Sequence, residues 1–137
     1  MAYWLLKSEP STYSWQTLLA ESRTHWEGVR NAQAQQNLKA MRAGDRAFFY
    51  HSGAGKEIVG VVEIVRTFYP DPADPEGKLG MVDVKPLDRA PKPVSLAAMK
   101  ENPELKNLSV LKQPRLSVCP IREREWKVLS ALAGLPG

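Results

Sequence analysis

Ala47-Phe48-Phe49-Tyr50-His51, a short turn over Ser52 to Gly55, and Ile58-Val59-Gly60-Val61-Val62-Glu63-Ile64-Val65 place two strands in succession mid-chain. Aromatic and β-branched residues crowd both runs, and such side chains suit a pleated, half-buried surface. Gly60 marks a bulge or a point where another group comes close. Tyr69 to Gly77, rich in Pro, Asp and Gly, reads as a loop. Met81 to Lys85 then reads as a third strand that stops at Pro86. Three strands with no helix between them argue against a doubly wound parallel sheet. They favour an α+β fold, a small and mostly antiparallel curled sheet or partial barrel with helices outside it.

Towards the N-terminus, Tyr3 to Leu6 is a continuous apolar run that turns polar at Lys7-Ser8-Glu9-Pro10, as a strand buried on both faces does at its end. Ser14 is placed to cap a helix carrying Trp15, Leu18 and Leu19. Asn31 is placed to cap a second, carrying Ala34, Leu38 and Met41, with Gly44 as the residue just past its end. Towards the C-terminus, Ser95 opens a helix with Leu96 and Met99, and Leu116 to Cys119 forms a last short strand. Trp126, Leu129 and Ala133 mark a final helix that ends at Gly134. Arg122-Glu123-Arg124-Glu125 reads as its solvated start. Trp4, Trp15 and Trp126 fall on apolar periodicities and are assigned to packing.

With 137 residues, 43% apolar and 25% charged, residues 1–137 are expected to form one domain with a single core. A net charge of +4 is compatible with nucleic-acid binding without pointing to it, because the Lys and Arg residues are spread along the chain. No run approaches the roughly 20 apolar residues of a membrane span. The start, Met1-Ala2-Tyr3-Trp4-Leu5-Leu6, lacks a basic region and a long apolar stretch, so a cytoplasmic protein with no membrane partner is expected. A single cysteine and two histidines give no disulfide and no zinc motif, and neither metal nor cofactor is expected.

One segment carries the chemistry. His25-Trp26-Glu27-Gly28-Val29-Arg30-Asn31 sets an indole beside a flexible glycine, an arginine and an asparagine, just before a helix. An indole offers a stacking surface, glycine lets a ligand approach the backbone, and Arg and Asn read phosphates or base edges. This grouping suits a flat, polar, anionic ligand such as a nucleotide, although a lone tryptophan is more often simply buried. Lys7 and Ser8 read equally well as a solvated strand end or as a pocket wall touching a phosphate and a base edge. Tyr50, His51 and Ser52 end a strand, where barrel mouths place ligand contacts. A triad can be written from Ser52, His51 and Asp71, but no nucleophile elbow supports it. Gly53-Ala54-Gly55-Lys56 lacks the spacing of a phosphate-binding loop and reads as a hairpin turn.

Taken in order, these pieces resemble the EVE domain of the PUA-like superfamily, which also includes the YTH and ASCH domains. The resemblance rests on Tyr3 to Pro10, Trp26 to Asn31, Gln33-Ala34, Asn37-Leu38, Met41, Gly44-Asp45, Phe49 to Ser52, Ile58-Val59-Gly60, Tyr69 to Pro72, Val82 to Lys85 and Leu116 to Val118. It implies a PUA-like pseudobarrel with a pocket for a modified nucleobase, such as a modified cytosine, flipped out of DNA or RNA. That pocket would draw on Lys7, Ser8, Glu9, Trp26, Gly28, Val29, Arg30, Asn31, Gln33, Ala34, Tyr50, His51 and Ser52, with Tyr69, Leu116 and Ser117 as secondary members. Leu79-Gly80-Met81 stands where the family usually has an aromatic, Ala32 where it has a larger residue, Gln35 where it often has Arg, and Cys119 where Gln is common. The resemblance implies a non-enzymatic reader. The alternative is a small ASCH-like hydrolase of modified nucleosides, with Lys7 and Glu9 as an acid–base or nucleophilic pair.

Overall fold

The computed structural model describes residues 1–53 and 55–136. The turn expected at Ser52 to Gly55 includes Ala54, which lies outside the described residues. In chain order the elements are β1 (Tyr3–Ser8), α1 (Trp15–Glu21), β2 (Thr24–Trp26), α2 (Ala32–Ala40), β3 (Arg46–His51), β4 (Glu57–Pro70) and β5 (Gly80–Ser95). There follow α3 (Leu96–Glu101), a 3-10 turn (Pro103–Leu105), α4 (Ser109–Lys112), β6 (Val118–Ile121) and α5 (Glu123–Ala133). The strands form one sheet in the order β2-β5-β4-β3-β1-β6. Among the described residues, only β1 and β3 run parallel, and every other pair is antiparallel. This is the mixed α+β arrangement expected, with most of its pairing antiparallel.

Besides the last strand, which is Val118–Ile121 and not Leu116 to Cys119, three strand expectations need correction. β4 does not stop at Val65 but continues through Tyr69 to Pro70, so the loop is shorter than its composition suggests. β5 runs through Pro86 and on past Pro91 and Pro93. A proline lacks the N–H that a regular central ladder needs, and bulges relieve that demand. Here the register shifts between Val61 and Val62, beside Pro86. Ile58 then faces Val94 while Gly60 faces Arg89, so Pro91 and Pro93 fall inside an irregularity. These interruptions also bend the two long strands, which curls the sheet. The third correction is β2, a three-residue strand pairing Trp26 with Val82, too short to show a period in sequence.

The helices follow their caps. Ser14, Asn31 and Ser95 each accept a hydrogen bond from the third residue beyond, Thr17, Ala34 and Ala98 respectively. α2 stops at Ala40, so Gly44 is not its terminal glycine. With φ at +93°, Gly44 turns the chain into β3 and donates to the Ile64 carbonyl at 2.9 Å. α5 does end at Gly134, in the left-handed conformation. Glu125 departs from the solvated helix start: it is buried and accepts from the Arg122 N–H at 2.9 Å.

α2 ties the two sides of the sheet together. Asn37 Nδ2 donates to the Val118 carbonyl of β6 at 2.7 Å, and buried Gln35 exchanges hydrogen bonds with both backbone groups of Gly80 on β5. The position where the family often carries Arg is therefore a structural brace in this chain. The core lies between the curled sheet and the helices. Trp126 stacks 4.0 Å from Phe48 and 4.5 Å from Tyr3, Trp4 Nε1 donates to Asp45, and Trp15 covers Gly60. All three tryptophans assigned to packing are buried. No helix among the described residues is long and apolar enough to cross a membrane.

Candidate functional site

The end of β1, the turn after it, the end of α1, all of β2 and the segment leading to α2 converge on one cleft of about 600 Å³. That volume suits a small organic ligand. Its lining includes Lys7, Ser8, Trp26, Gly28, Val29, Arg30 and Ser117 from the expected set, together with Thr12, Tyr13, Glu21, Thr24, His25 and Glu27.

The floor is held by backbone. Lys7 N–H donates to the Ser117 carbonyl at 2.9 Å, and Ser52 N–H donates to that of Ser8 at 2.9 Å. Lys7 Nζ donates to the Pro114 carbonyl at 2.8 Å, and burial lowers the ammonium pKa from its ordinary value. Ser8 Oγ donates to the Tyr13 carbonyl at 2.5 Å. Gly28 sits at φ +77°, a conformation that a side chain would strain, and it lets the backbone turn from Trp26 towards α2.

Trp26 is not a free stacking surface on a loop. It belongs to β2, is 6% exposed, and meets Phe49 at 5.5 Å with the planes at 86°. Tyr13 has the more open ring: half-buried, it packs at 87° to Trp26 with centroids 6.4 Å apart. Its hydroxyl donates to Glu21 Oε1 at 2.6 Å. Burial and that carboxylate raise the phenol's pKa to about 12, so it stays a neutral donor.

The remaining expected residues lie elsewhere. Asn31 spends its side-chain oxygen on the Ala34 N–H as the helix cap, so that atom is not free to check a base edge. Ala34 is fully buried in α2, and Gln33 is exposed on the same helix. Tyr50 and Leu116 are each 3% exposed and belong to the core. His51 Nε2 accepts from the Trp15 N–H at 3.0 Å, and burial lowers the imidazole pKa, more than offsetting nearby Glu57. Glu9 is exposed and approaches Gly53, so the Lys7–Glu9 pair of the hydrolase alternative is not assembled in the cleft. The pleat explains several of these placements: a strand-end motif turns alternate side chains to opposite faces.

Beside the cleft, Asp83 of β5 is 2% exposed and anchors a cluster. Arg23 Nη2 reaches one carboxylate oxygen at 2.8 Å, His25 Nδ1 reaches the other at 2.9 Å, and the Tyr69 hydroxyl donates to that second oxygen. Burial pushes the Asp83 carboxyl pKa upward, but these three partners outweigh it and hold the value at about 2. Burial and the Asp83 carboxylate raise Tyr69 to about 12, and Arg66 lies 3.6 Å over its ring. Tyr69 thus serves this cluster and not the cleft lining. Sequence reading missed Tyr13, an aromatic in a polar turn off the helical period of α1. It also missed the cross-strand pairing of His25 with Asp83, which depends on β2.

Cys119 is fully buried and donates to the Leu116 carbonyl, so it is core and not pocket wall. Gly80 lies directly under the Phe68 ring of β4, which leaves no room for a side chain at that position of β5. Among the described residues, no group of three or more His, Cys, Asp or Glu is arranged to hold a metal ion.

Comparison with solved structures and characterised chains places this architecture. Rpa0253 from Rhodopseudomonas palustris is 48% identical with a TM-score of 0.93, covering 98% of this chain and 94% of that one. Human THYN1 protein, solved in complex with 5-methylcytosine containing DNA, is 31% identical with a TM-score of 0.90, covering 100% of both chains. Thymocyte nuclear protein 1 of Gallus gallus is 34% identical over 95% of this chain and 68% of its own length. The ASCH protein from Zymomonas mobilis, 14% identical with a TM-score of 0.60, shares the fold alone. The EVE domain family model matches residues 2–132, and this chain belongs to that family.

Proposed function

We propose that residues 1–137 act as one EVE unit that reads DNA by taking a single modified cytosine, 5-methylcytosine in the first instance, into the cleft. The observation that carries this reading is the likeness, over the whole of both solved chains, to human THYN1 protein in complex with 5-methylcytosine containing DNA. The cleft supplies fitting chemistry. Tyr13 gives a tethered aromatic face, Trp26 a wall, and Lys7 and Arg30 cationic groups for a phosphate or carbonyl oxygen. Glu21 and Glu27 offer acceptors of the kind that read the exocyclic amine of cytosine. Stacking a base on an aromatic contributes about 1–3 kcal/mol, enough to decide occupancy of a small site. On this reading the protein binds and does not turn over its ligand. The avian relative is called a nuclear protein, and no helix among the described residues of this chain is long and apolar enough to cross a membrane.

The test is a fluorescence-anisotropy titration with short duplexes and single strands, of DNA and of RNA, differing only in one cytosine methyl. Wild type is expected to prefer methylated DNA, and Tyr13→Ala to lose that preference. Equal affinity for all oligonucleotides, vanishing at moderate salt, would mean phosphate attraction only. Consumption of 5-methyl-2′-deoxycytidine by the protein would replace the reader with a hydrolase.

A further inference from the structure

The function proposed above uses the cleft and leaves the cluster around Asp83 unexplained. A buried carboxylate that only braced an edge strand would need one good partner. This one gathers an arginine, a histidine and a tyrosine beside the cleft, and a second arginine lies over the tyrosine ring. The Arg23 side chain is 53% exposed although Nε and Nη2 both bind Asp83 Oδ2, at 3.3 and 2.8 Å. The His25 side chain is 60% exposed while Nδ1 is held by Asp83 and by the Tyr69 hydroxyl at 2.9 Å. Arg66 is exposed, holds its Cζ 3.6 Å from the centroid of the Tyr69 ring, and makes no ion pair among the described residues. Both arginines act electrostatically on Tyr69, so they share one neighbourhood. Against one carboxylate, the two guanidinium groups leave the cluster with a net positive charge.

The holding geometry matters more than the charge. A guanidinium stacked on a ring keeps its in-plane N–H groups free and pointing sideways, the arrangement that meets a phosphate with two parallel hydrogen bonds. A tether fixed beforehand also removes most of the side-chain entropy that surface lysines lose on binding. His25 belongs at once to the cleft lining and to the cluster, so the two features are contiguous.

We infer that Arg66, Arg23 and His25, organised by Asp83 and Tyr69, form a phosphate seat for the nucleic-acid backbone flanking the base in the cleft. This rests on the nucleic-acid reading above and adds to it a backbone contact that is blind to base modification. The seat positions the strand and the cleft reads the base.

The test measures binding of 5-methylcytosine and cytosine duplexes over a series of potassium chloride concentrations. The proteins are wild type, Arg66→Gln, Arg23→Gln and, as a control, Lys100→Gln on α3 beyond the opposite end of β5. Arg66→Gln breaks no buried pair, so its result does not depend on the fold tolerating loss of an Asp83 partner. It is expected to weaken both duplexes by the same factor, about three- to tenfold, and to reduce the slope of log affinity against log salt by about 1. Arg23→Gln is expected to do the same or more, and Lys100→Gln to change neither quantity. An unchanged slope in Arg66→Gln, or a loss confined to the methylated duplex, would overturn the seat. Failure of wild type to prefer the methylated duplex would instead sink the base-reading proposal, and the slope would still report on the seat.

Discussion

At the residue scale the site depends on which aromatic is buried and which is presented. Trp26 is nearly inaccessible and packs on Phe49, so truncating it acts on the fold before the ligand. Trp26→Ala is expected to cost about 3–5 kcal/mol of unfolding free energy, measured by urea titration. Tyr13→Phe keeps the ring and removes the tether to Glu21, and should cost about 0.5–1.5 kcal/mol while retaining much of the base binding. The sequence made Trp26 conspicuous because the segment after it carries Gly28, Arg30 and Asn31. It could not show that a three-residue strand turns the indole inward, or that Asn31 serves as a helix cap. The chemical character of the segment was legible; the direction of its side chains was not, because direction is set by pairing to β5.

Among elements, β4 and β5 determine where the cleft sits, since β2 pairs with β5 at the end where the cluster lies. Their existence was readable from the β-branched runs, and the close approach at Gly60 was readable from a glycine inside the strongest strand. A Cβ at Gly60 would lie 2.5 Å from the Trp15 ring. Gly60→Ala should therefore displace that indole and cost about 1–3 kcal/mol, read as a lowered urea midpoint with unchanged slope. Strand lengths were misread because Pro70, Pro86, Pro91 and Pro93 look like stops. They are tolerated through register shifts that only the partner strand reveals. α2 illustrates the same limit. Asn31 announced the helix, but nothing local indicated that Gln35 and Asn37 reach β5 and β6 to link opposite ends of the sheet.

For the whole molecule, two buried groups give tests of the architecture that need no ligand. The Asp83 carboxyl is held at about 2 in the fold, below the ordinary carboxylate value of the unfolded chain, so it binds fewer protons when folded. Its contribution to stability is present above about pH 4 and is lost as pH falls towards 2. Thermal unfolding of wild type should become steeply acid-sensitive over that range, and Asp83→Asn should lack this component while being less stable at neutral pH. Burial raises the Cys119 thiol to about 11 and leaves it no surface. A maleimide at pH 7 should thus label the protein only once it is unfolded by urea.

The claim that joins these scales is that one methylated base enters one cleft. Its most direct test is a two-dimensional amide spectrum of isotope-labelled protein, titrated with a DNA duplex carrying a single 5-methylcytosine and with its unmethylated twin. Methyl-dependent shifts are expected to concentrate at Thr12, Tyr13, Trp26, Gly28, Arg30 and Ser117, while amides near Arg23 and Arg66 move with both duplexes. Identical spectra with the two duplexes, or methyl-dependent shifts clustered away from the cleft, would contradict that claim.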